Sequence, residues 1–350
     1  MKHAYKIIAV LIIIYSFTVG MLVPLTPGII EVTPPSGKTG KTLEIGVVGY
    51  NSHYLKAKDS LRAWLKLNNE KSLAAAAIQV EDETNLNLQF KIPEYLPSSE
   101  RVQDLALVID NQLDGTSVMP SAVFITQDSV DKNMGEQFWK NDPIENLNSR
   151  DYMTFPFRSI VEETIRNTYF HVSLWFAMLF MMGAAVWHSI KYLNKKEVES
   201  DIKAVGFTQV GVLFGLLGLV TGMVWAKYTW GAFWSWDIKQ NTTAISLLIY
   251  LSYFVLRNSF DDQERQARIS SVYSIFAFVA LLLLLYVIPR MTDSLHPGNG
   301  GNPAFGGEDL DNTMRMVFYP AIIGWTLFGV WVSNLIIRAD KLKIKLLDID

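Results

Sequence analysis

Ser271-Val272-Tyr273-Ser274-Ile275-Phe276-Ala277-Phe278-Val279-Ala280-Leu281-Leu282-Leu283-Leu284-Leu285-Tyr286-Val287-Ile288 runs eighteen residues without a charged side chain. As a helix it would rise about 27 Å, close to the roughly 30 Å hydrocarbon core of a bilayer. Five more apolar runs accompany it: Ile7–Pro24, Tyr169–Ile190, Val205–Trp225, Thr243–Leu256 and Val317–Ile337. The run Thr243–Leu256 is the shortest and reaches spanning length only by tilting or by borrowing its flanks. The expectation is an α-helical polytopic membrane protein with about six transmembrane helices.

Working outward, the loops between these runs orient the chain. With the N-terminus inside, the inner segments Met1–Lys6, Lys191–Ala204, Arg257–Ser270 and Arg338–Asp350 carry 13 Lys and Arg. The outer loops carry four, namely Lys227, Lys239, Arg290 and Arg315. Positive charge is retained on the cytoplasmic side, so both termini are expected inside. No small-x-small cleavage site is evident near Pro24 to Gly28, so the first run is expected to remain as an anchor.

The polar stretch between the first and second runs then lies outside the membrane. Short alternating segments recur there: Leu43–Tyr50, Ala76–Val80, Leu86–Ile92, Leu105–Asp110 and Ala122–Thr126. Turn-rich pieces bound them (Thr33–Gly40, Pro97–Ser99 and Asp114-Gly115), which reads as an inserted extracytoplasmic β-sandwich-like domain. The segment holds 20 Asp and Glu against 13 Lys and Arg. Its histidine, His53, reads as a loop residue, and no catalytic constellation is visible. The expected division is residues 1–27, a first transmembrane helix; 28–165, the β-rich domain; and 166–350, a five-helix membrane domain.

Composition excludes several classes. The chain has no cysteine, hence no disulfide, no thiolate-bound cluster and no Cys-x-x-Cys-His for covalent haem attachment. The formal net charge of −3, with no basic patch, argues against a nucleic-acid partner.

Chemistry concentrates in Trp230-Gly231-Ala232-Phe233-Trp234-Ser235-Trp236-Asp237, preceded by Trp225 and Tyr228. Four of the chain's 10 Trp fall in this outer stretch. An interfacial aromatic belt accounts for one or two of them at a helix end. Four with Phe233 and Tyr228 make a shelf suited to a flat apolar ligand such as a porphyrin. The topology brings two histidines to the same face: His171, at the outer start of the second run, and His296, between the fifth and sixth. Imidazole is a common axial ligand of haem iron. His188 lies 17 residues beyond His171, about 25 Å along a helix, and belongs to the inner end. Arg166, Lys239, Arg290 and Arg315 are candidate partners for propionates, and Arg290 and Arg315 serve equally well as helix-end residues. Asp237 caps the following helix, orients Trp236 or tunes the site. The run Pro297–Pro303 lacks the Gly-Lys-Ser/Thr ending of a phosphate-binding loop and reads as a plain loop beside His296.

Trp230-Gly-x-x-Trp234-x-Trp236-Asp237 resembles the tryptophan-rich WWD signature of the haem-handling proteins of cytochrome c maturation, which include CcmC, CcmF and CcsA. Phe170-His171-Val172, with Arg166 five residues earlier, resembles the first histidine region of CcmC. Leu295-His296 and Thr313-Met314-Arg315-Met316 resemble the second. The resemblance covers about Glu163 to Arg338 and the first run. It implies that His171 and His296 are axial ligands of a non-covalent haem b. It also makes Trp230, Trp234, Trp236 and Asp237 the platform, with Arg166 and Lys239 toward the propionates. Further implications are delivery of haem to the periplasmic chaperone CcmE beside a CcmABD-type ABC complex, in the bacterial inner membrane, without enzymatic chemistry beyond ligand exchange. Two departures stand out: Lys239 where the family often has Arg, and the large 28–165 insertion, for which the family supplies no role. The alternatives are a CcsA-like cytochrome c synthase component, which usually adds histidines within its spans, and a haem-free receptor or permease subunit.

Overall fold

The computed structural model describes residues 3–150, 152–158, 161–296 and 310–347. The run Pro297–Pro303 lies outside them. The chain divides into two compact units, Pro24–Glu163 and a second that joins Met1–Val23 to Thr164–Asp350.

In the membrane unit, α1 (Ala4–Leu22) comes first. The Pro24–Glu163 unit follows with nine strands: β1 (Gly28–Thr33), β2 (Ser36–Lys38), β3 (Thr42–Tyr50), β4 (Arg62–Lys66), β5 (Ser72–Ala74), β6 (Ala77–Val80), β7 (Asn85–Lys91), β8 (Val102–Asn111) and β9 (Gly115–Thr126). They form a four-stranded sheet ordered β1-β3-β7-β6 and a five-stranded sheet ordered β2-β9-β8-β4-β5. Pairing is antiparallel except between β2 and β9. Alternation decides which faces meet. In β3 the residues Leu43, Ile45 and Val47 point inward while Thr42, Glu44 and Val48 point out. The inward rows of both sheets (Ile45, Leu88 and Phe90 with Leu65, Leu107 and Ile125) share one core, which makes the unit a β-sandwich. All five strand-like segments legible in the sequence fall on strands. A short helix, α2 (Lys132–Phe138), closes the unit, its N-terminus capped by Asp131.

The remaining helices are α3 (His171–Lys195), α4 (Val198–Trp230), α5 (Ile238–Arg257), α6 (Gln263–Leu282) and α7 (Asn312–Leu347). A 3₁₀ stretch, Glu162–Tyr169, leads into α3. α6 runs on through a π turn, Leu283–Val287, and a 3₁₀ turn, Ile288–Arg290. Among the described residues, five helices are long and apolar enough to cross a membrane: α1, α3, α4, α6 and α7. α5 is the helix of the shortest apolar run. At 20 residues it is long enough, but its buried face is polar, with Gln240, Thr242, Thr243, Ser246, Tyr250 and Tyr253 all turned inward. A polytopic helical bundle with an inserted β domain is therefore the observed architecture.

Close contact between α3 and α4 positions the site. Four side chains of α3, at His171, Trp175, Met178 and Met182, sit in antiparallel register over four glycines of α4, at Gly222, Gly218, Gly215 and Gly211. A Cβ on any of these glycines would come within 2.6–2.8 Å of a side-chain atom. Small residues let membrane helices approach closely, and here they seat one continuous ridge.

Candidate functional site

His171 opens α3 with its ring against α4. Its Nδ1 is 2.9 Å from the carbonyl oxygen of Gly218 and 3.1 Å from Thr221 Oγ1. A carbonyl oxygen only accepts, so Nδ1 carries the proton and donates it to Gly218, while the single Thr221 hydroxyl proton goes to the carbonyl of Leu217 or Gly218. Nε2 is then an acceptor, and the indole Nε1–H of Trp175 donates to it at 3.2 Å.

α4 ends at Trp230 because Gly231 takes a left-handed conformation, φ 80°, that a side chain would resist. The chain turns back through Phe233 to Trp236, and the first turn of α5 holds this loop. Gln240 Oε1 accepts from the Ser235 backbone N–H at 2.8 Å, its Nε2 donates to the Phe233 carbonyl at 3.3 Å, and Asn241 Nδ2 donates to the Trp236 carbonyl at 2.8 Å. Asp237 is the N-cap of α5, accepting from the Lys239 N–H at 2.9 Å.

The same carboxylate reaches the loop after α6. Asp237 Oδ1 is 2.8 Å from His296 Nδ1 and accepts from Ser294 Oγ at 3.1 Å, while Oδ2 accepts from the Leu295 N–H at 2.8 Å. Burial opposes its ionisation, but the hydrogen bonds from His296, Leu295, Ser294 and Lys239 hold its carboxyl well below the usual carboxylate range. The Asp237 side chain is 2% exposed. Of the roles open from sequence, it caps the helix and also fixes a histidine 59 residues away.

The aromatic residues divide into two groups. Trp225 and Trp230 pack edge to face, with ring centres 4.8 Å apart. Both flank His296, at 5.7 Å and 4.7 Å. Trp234 and Trp236 form a separate pair at 6.4 Å, and Trp236 is 78% exposed. Tyr228, Phe233, Met291 and Leu295 also present apolar surface near this loop. His171 and His296 come within electrostatic range of each other.

The cations are dispersed. Arg166 donates from Nη1 to the carbonyls of Gly20 and Val23, at 2.9 and 2.7 Å, closing the C-terminus of α1. Lys239 sits within electrostatic range of Asp237 and Arg290. His188 stacks flat on Phe207, with ring centres 5.7 Å apart, in the C-terminal half of α3. His53 is tied to Asp114 in the β unit through Nδ1, at 2.8 Å.

A family profile described as Heme exporter protein C, CcmC, matches residues 152–346, more than half of the chain. The chain belongs to the CcmC family. Relatives named Heme exporter protein C include one from Bradyrhizobium diazoefficiens, 24% identical over 180 residues, covering 51% of this chain and 68% of the relative. One from Paracoccus denitrificans is 26% identical over 167 residues, covering 48% and 65%. One from Escherichia coli is 24% identical over 147 residues, covering 41% and 58%. The CcmC match contains both histidines and the tryptophan loop, and it leaves out α1 and nearly all of the β-sandwich.

Sequence reasoning missed Trp175, Gly218, Thr221, Gly222 and Ser294, which contact the candidate site residues or their partners. It also placed Trp225 only as a neighbour of the signature. A signal for the α3 partners was available: glycines spaced four, three and four along α4, opposite residues of α3 with the same spacing.

Proposed function

We propose that this CcmC-family chain holds haem b non-covalently at the outer membrane face, between His171 and His296, and passes it to a haem chaperone during cytochrome c maturation. The supporting observation is the arrangement of the two imidazoles. Each has Nδ1 committed, His171 to the Gly218 carbonyl and His296 to the Asp237 carboxylate, so on each ring Nε2 is the nitrogen left for a ligand, that of His171 in exchange for the Trp175 indole N–H. Histidines that ligate metals regularly use one ring nitrogen for the metal and the other for a carbonyl or carboxylate. The residues therefore fit the group. Bound haem would be held by the His171 and His296 imidazoles and would supply a ligand-exchanging iron and two anionic propionates.

The chain's own residues bind, orient and shield. Asp237 holds His296 in one tautomer and one ring orientation. Trp225 meets that ring at a tilt and Trp230 edge to face, and Trp234 and Trp236 extend an apolar ledge from the same loop. Lys239 and Arg166 are the proposed propionate partners, with the Arg166 Nη1 donors already engaged by α1. In this proposal residues 28–165 lie on the periplasmic side of a bacterial inner membrane, a reading supported by the Lys and Arg excess in the opposite loops. The chaperone CcmE and a CcmABD-type ABC complex are the proposed partners, with ligand exchange as the only chemistry.

The test is the absorption spectrum of the full chain in mild detergent, with and without added hemin, beside His171→Ala and His296→Ala. A Soret band typical of six-coordinate haem, weakened or shifted in both variants, supports the site. A wild type that takes up no haem rejects it and favours a haem-free receptor or permease subunit.

A further inference from the structure

The two histidines are held differently. His296 receives a carboxylate at Nδ1, with Trp225 and Trp230 packed against its ring. His171 receives only a carbonyl and a hydroxyl at Nδ1, and its Nε2 already accepts the Trp175 indole N–H at 3.2 Å. That nitrogen is the one left for a ligand.

Trp175 is placed for this contact by α4. It lies one helical turn inward of His171, and the Gly218 backbone passes under its indole, where a Cβ would stand 2.8 Å from Cε2. The rings of His171 and Trp175 meet at 79°, the indole edge toward the imidazole. An indole N–H in the interior of a membrane bundle needs an acceptor, and His171 Nε2 is the one it has here.

We propose that Trp175 is a positioning residue that occupies the Nε2 lone pair of His171 until haem displaces it, so that His171 is the weaker, first-released axial ligand. This rests on the reading of His171 and His296 as the haem ligands. Forming the iron–Nε2 bond breaks the indole hydrogen bond, and releasing haem restores it. No proton or electron changes hands. The consequence suits a carrier: one ligand, backed by Asp237, retains the haem, and the other gives way because an internal donor competes for it.

The experiment is titration and stopped-flow mixing of hemin with the detergent-purified, haem-free full chain, wild type beside Trp175→Phe. Phenylalanine keeps a ring over Gly218 and removes the N–H. A net hydrogen bond of roughly 0.5–1.5 kcal/mol corresponds to a change of about two- to tenfold in affinity. Trp175→Phe is expected to bind hemin tighter by that factor, with slower dissociation and a spectrum still six-coordinate. Unchanged or weaker binding in a folded variant overturns the proposal, since simple loss of packing cannot tighten a site. If Trp175→Phe does not fold, benzothienylalanine at position 175 preserves the ring shape without the N–H and is judged by the same outcomes. A wild type that binds no hemin fails the haem reading itself, whereas a wild type and variant that bind alike fail this proposal alone.

Discussion

The Asp237 carboxylate meets the His296 imidazole at 2.8 Å, Oδ1 to Nδ1, although 59 residues separate them. One buried side chain thereby caps α5, anchors the loop after α6 and sets a histidine tautomer. Asp237→Asn keeps the shape and removes the charge. Removing such a supporting group typically costs about 10–100-fold in metal affinity. Asp237→Asn is therefore expected to weaken hemin binding by that factor, and a titration checks it. Unchanged affinity would mean that the carboxylate serves only the helix cap.

Much of this arrangement was legible in the sequence. The apolar runs gave the helices, and their alternation along the chain brought His171, His296 and the tryptophan loop to one end of the bundle. Alternation found β3, β6, β7, β8 and β9. It missed β1, β2, β4 and β5; in β4 the central residues Ala63, Trp64 and Leu65 are all buried, so no alternation exists to detect. Trp175 was hidden for a related reason: inside an apolar helix an aromatic residue looks like ordinary span. The role of Asp237 depends on a contact between distant loops, which spacing along the chain does not encode.

The glycine row on α4 yields a local prediction. Gly222→Val brings its new carbons into the His171 ring, which already lies 2.7 Å from the position of a Cβ. Overpacking costs about 1–3 kcal/mol of stability, and here it also displaces a proposed ligand. Gly211→Ala meets the flexible side chain of Met182 instead and should cost stability alone. Thermal unfolding and hemin titration of the two variants separate the effects. Equal loss of hemin binding in both would argue that helix separation, not the imidazole, is what matters.

In the β-sandwich, Asp110 is fully buried and bonded to Arg62 at 2.6 Å, to Thr116 at 2.7 Å, and to the backbone and side-chain nitrogens of Asn148 at 2.9 and 2.7 Å. Burial opposes its charge, but these hydrogen bonds outweigh that and lower its pKa. Because the folded value lies below the unfolded one, near 3.9, the unfolded chain binds the extra proton. The stabilisation is fully present above about pH 4 and is lost as pH falls through the folded value. Hydrogen exchange in β4 and β8 should therefore be steady from pH 7 to about 5, after correction for intrinsic rates, and rise in stronger acid. Asp110→Asn should exchange faster at neutral pH and lose most of that acid dependence. A variant whose acid profile matches the wild type would remove Asp110 as the cause.

At the end of the bundle away from the tryptophan loop, Arg257 of α5 grips Asp201 of α4 through two parallel bonds, Nη1 to Oδ1 at 2.8 Å and Nη2 to Oδ2 at 2.6 Å. Both side chains are nearly buried, at 14% and 10% exposure. A pair so placed offsets its own desolvation, so its net contribution to stability is small. Removing one member is different, because it strands the other charge within the bundle. Arg257→Ala or Asp201→Ala alone should cost about 3–5 kcal/mol, whereas Arg257→Met with Asp201→Leu should recover most of the loss. Unfolding in detergent, analysed as a double-mutant cycle, measures the coupling. Hemin binding should survive in the double variant, because Asp201 and Trp230 stand at opposite ends of α4, about 43 Å apart along the helix. Single variants as stable as the wild type would mean that water reaches both charges. The pair would then be an exposed one, whose contribution rarely exceeds about 1 kcal/mol.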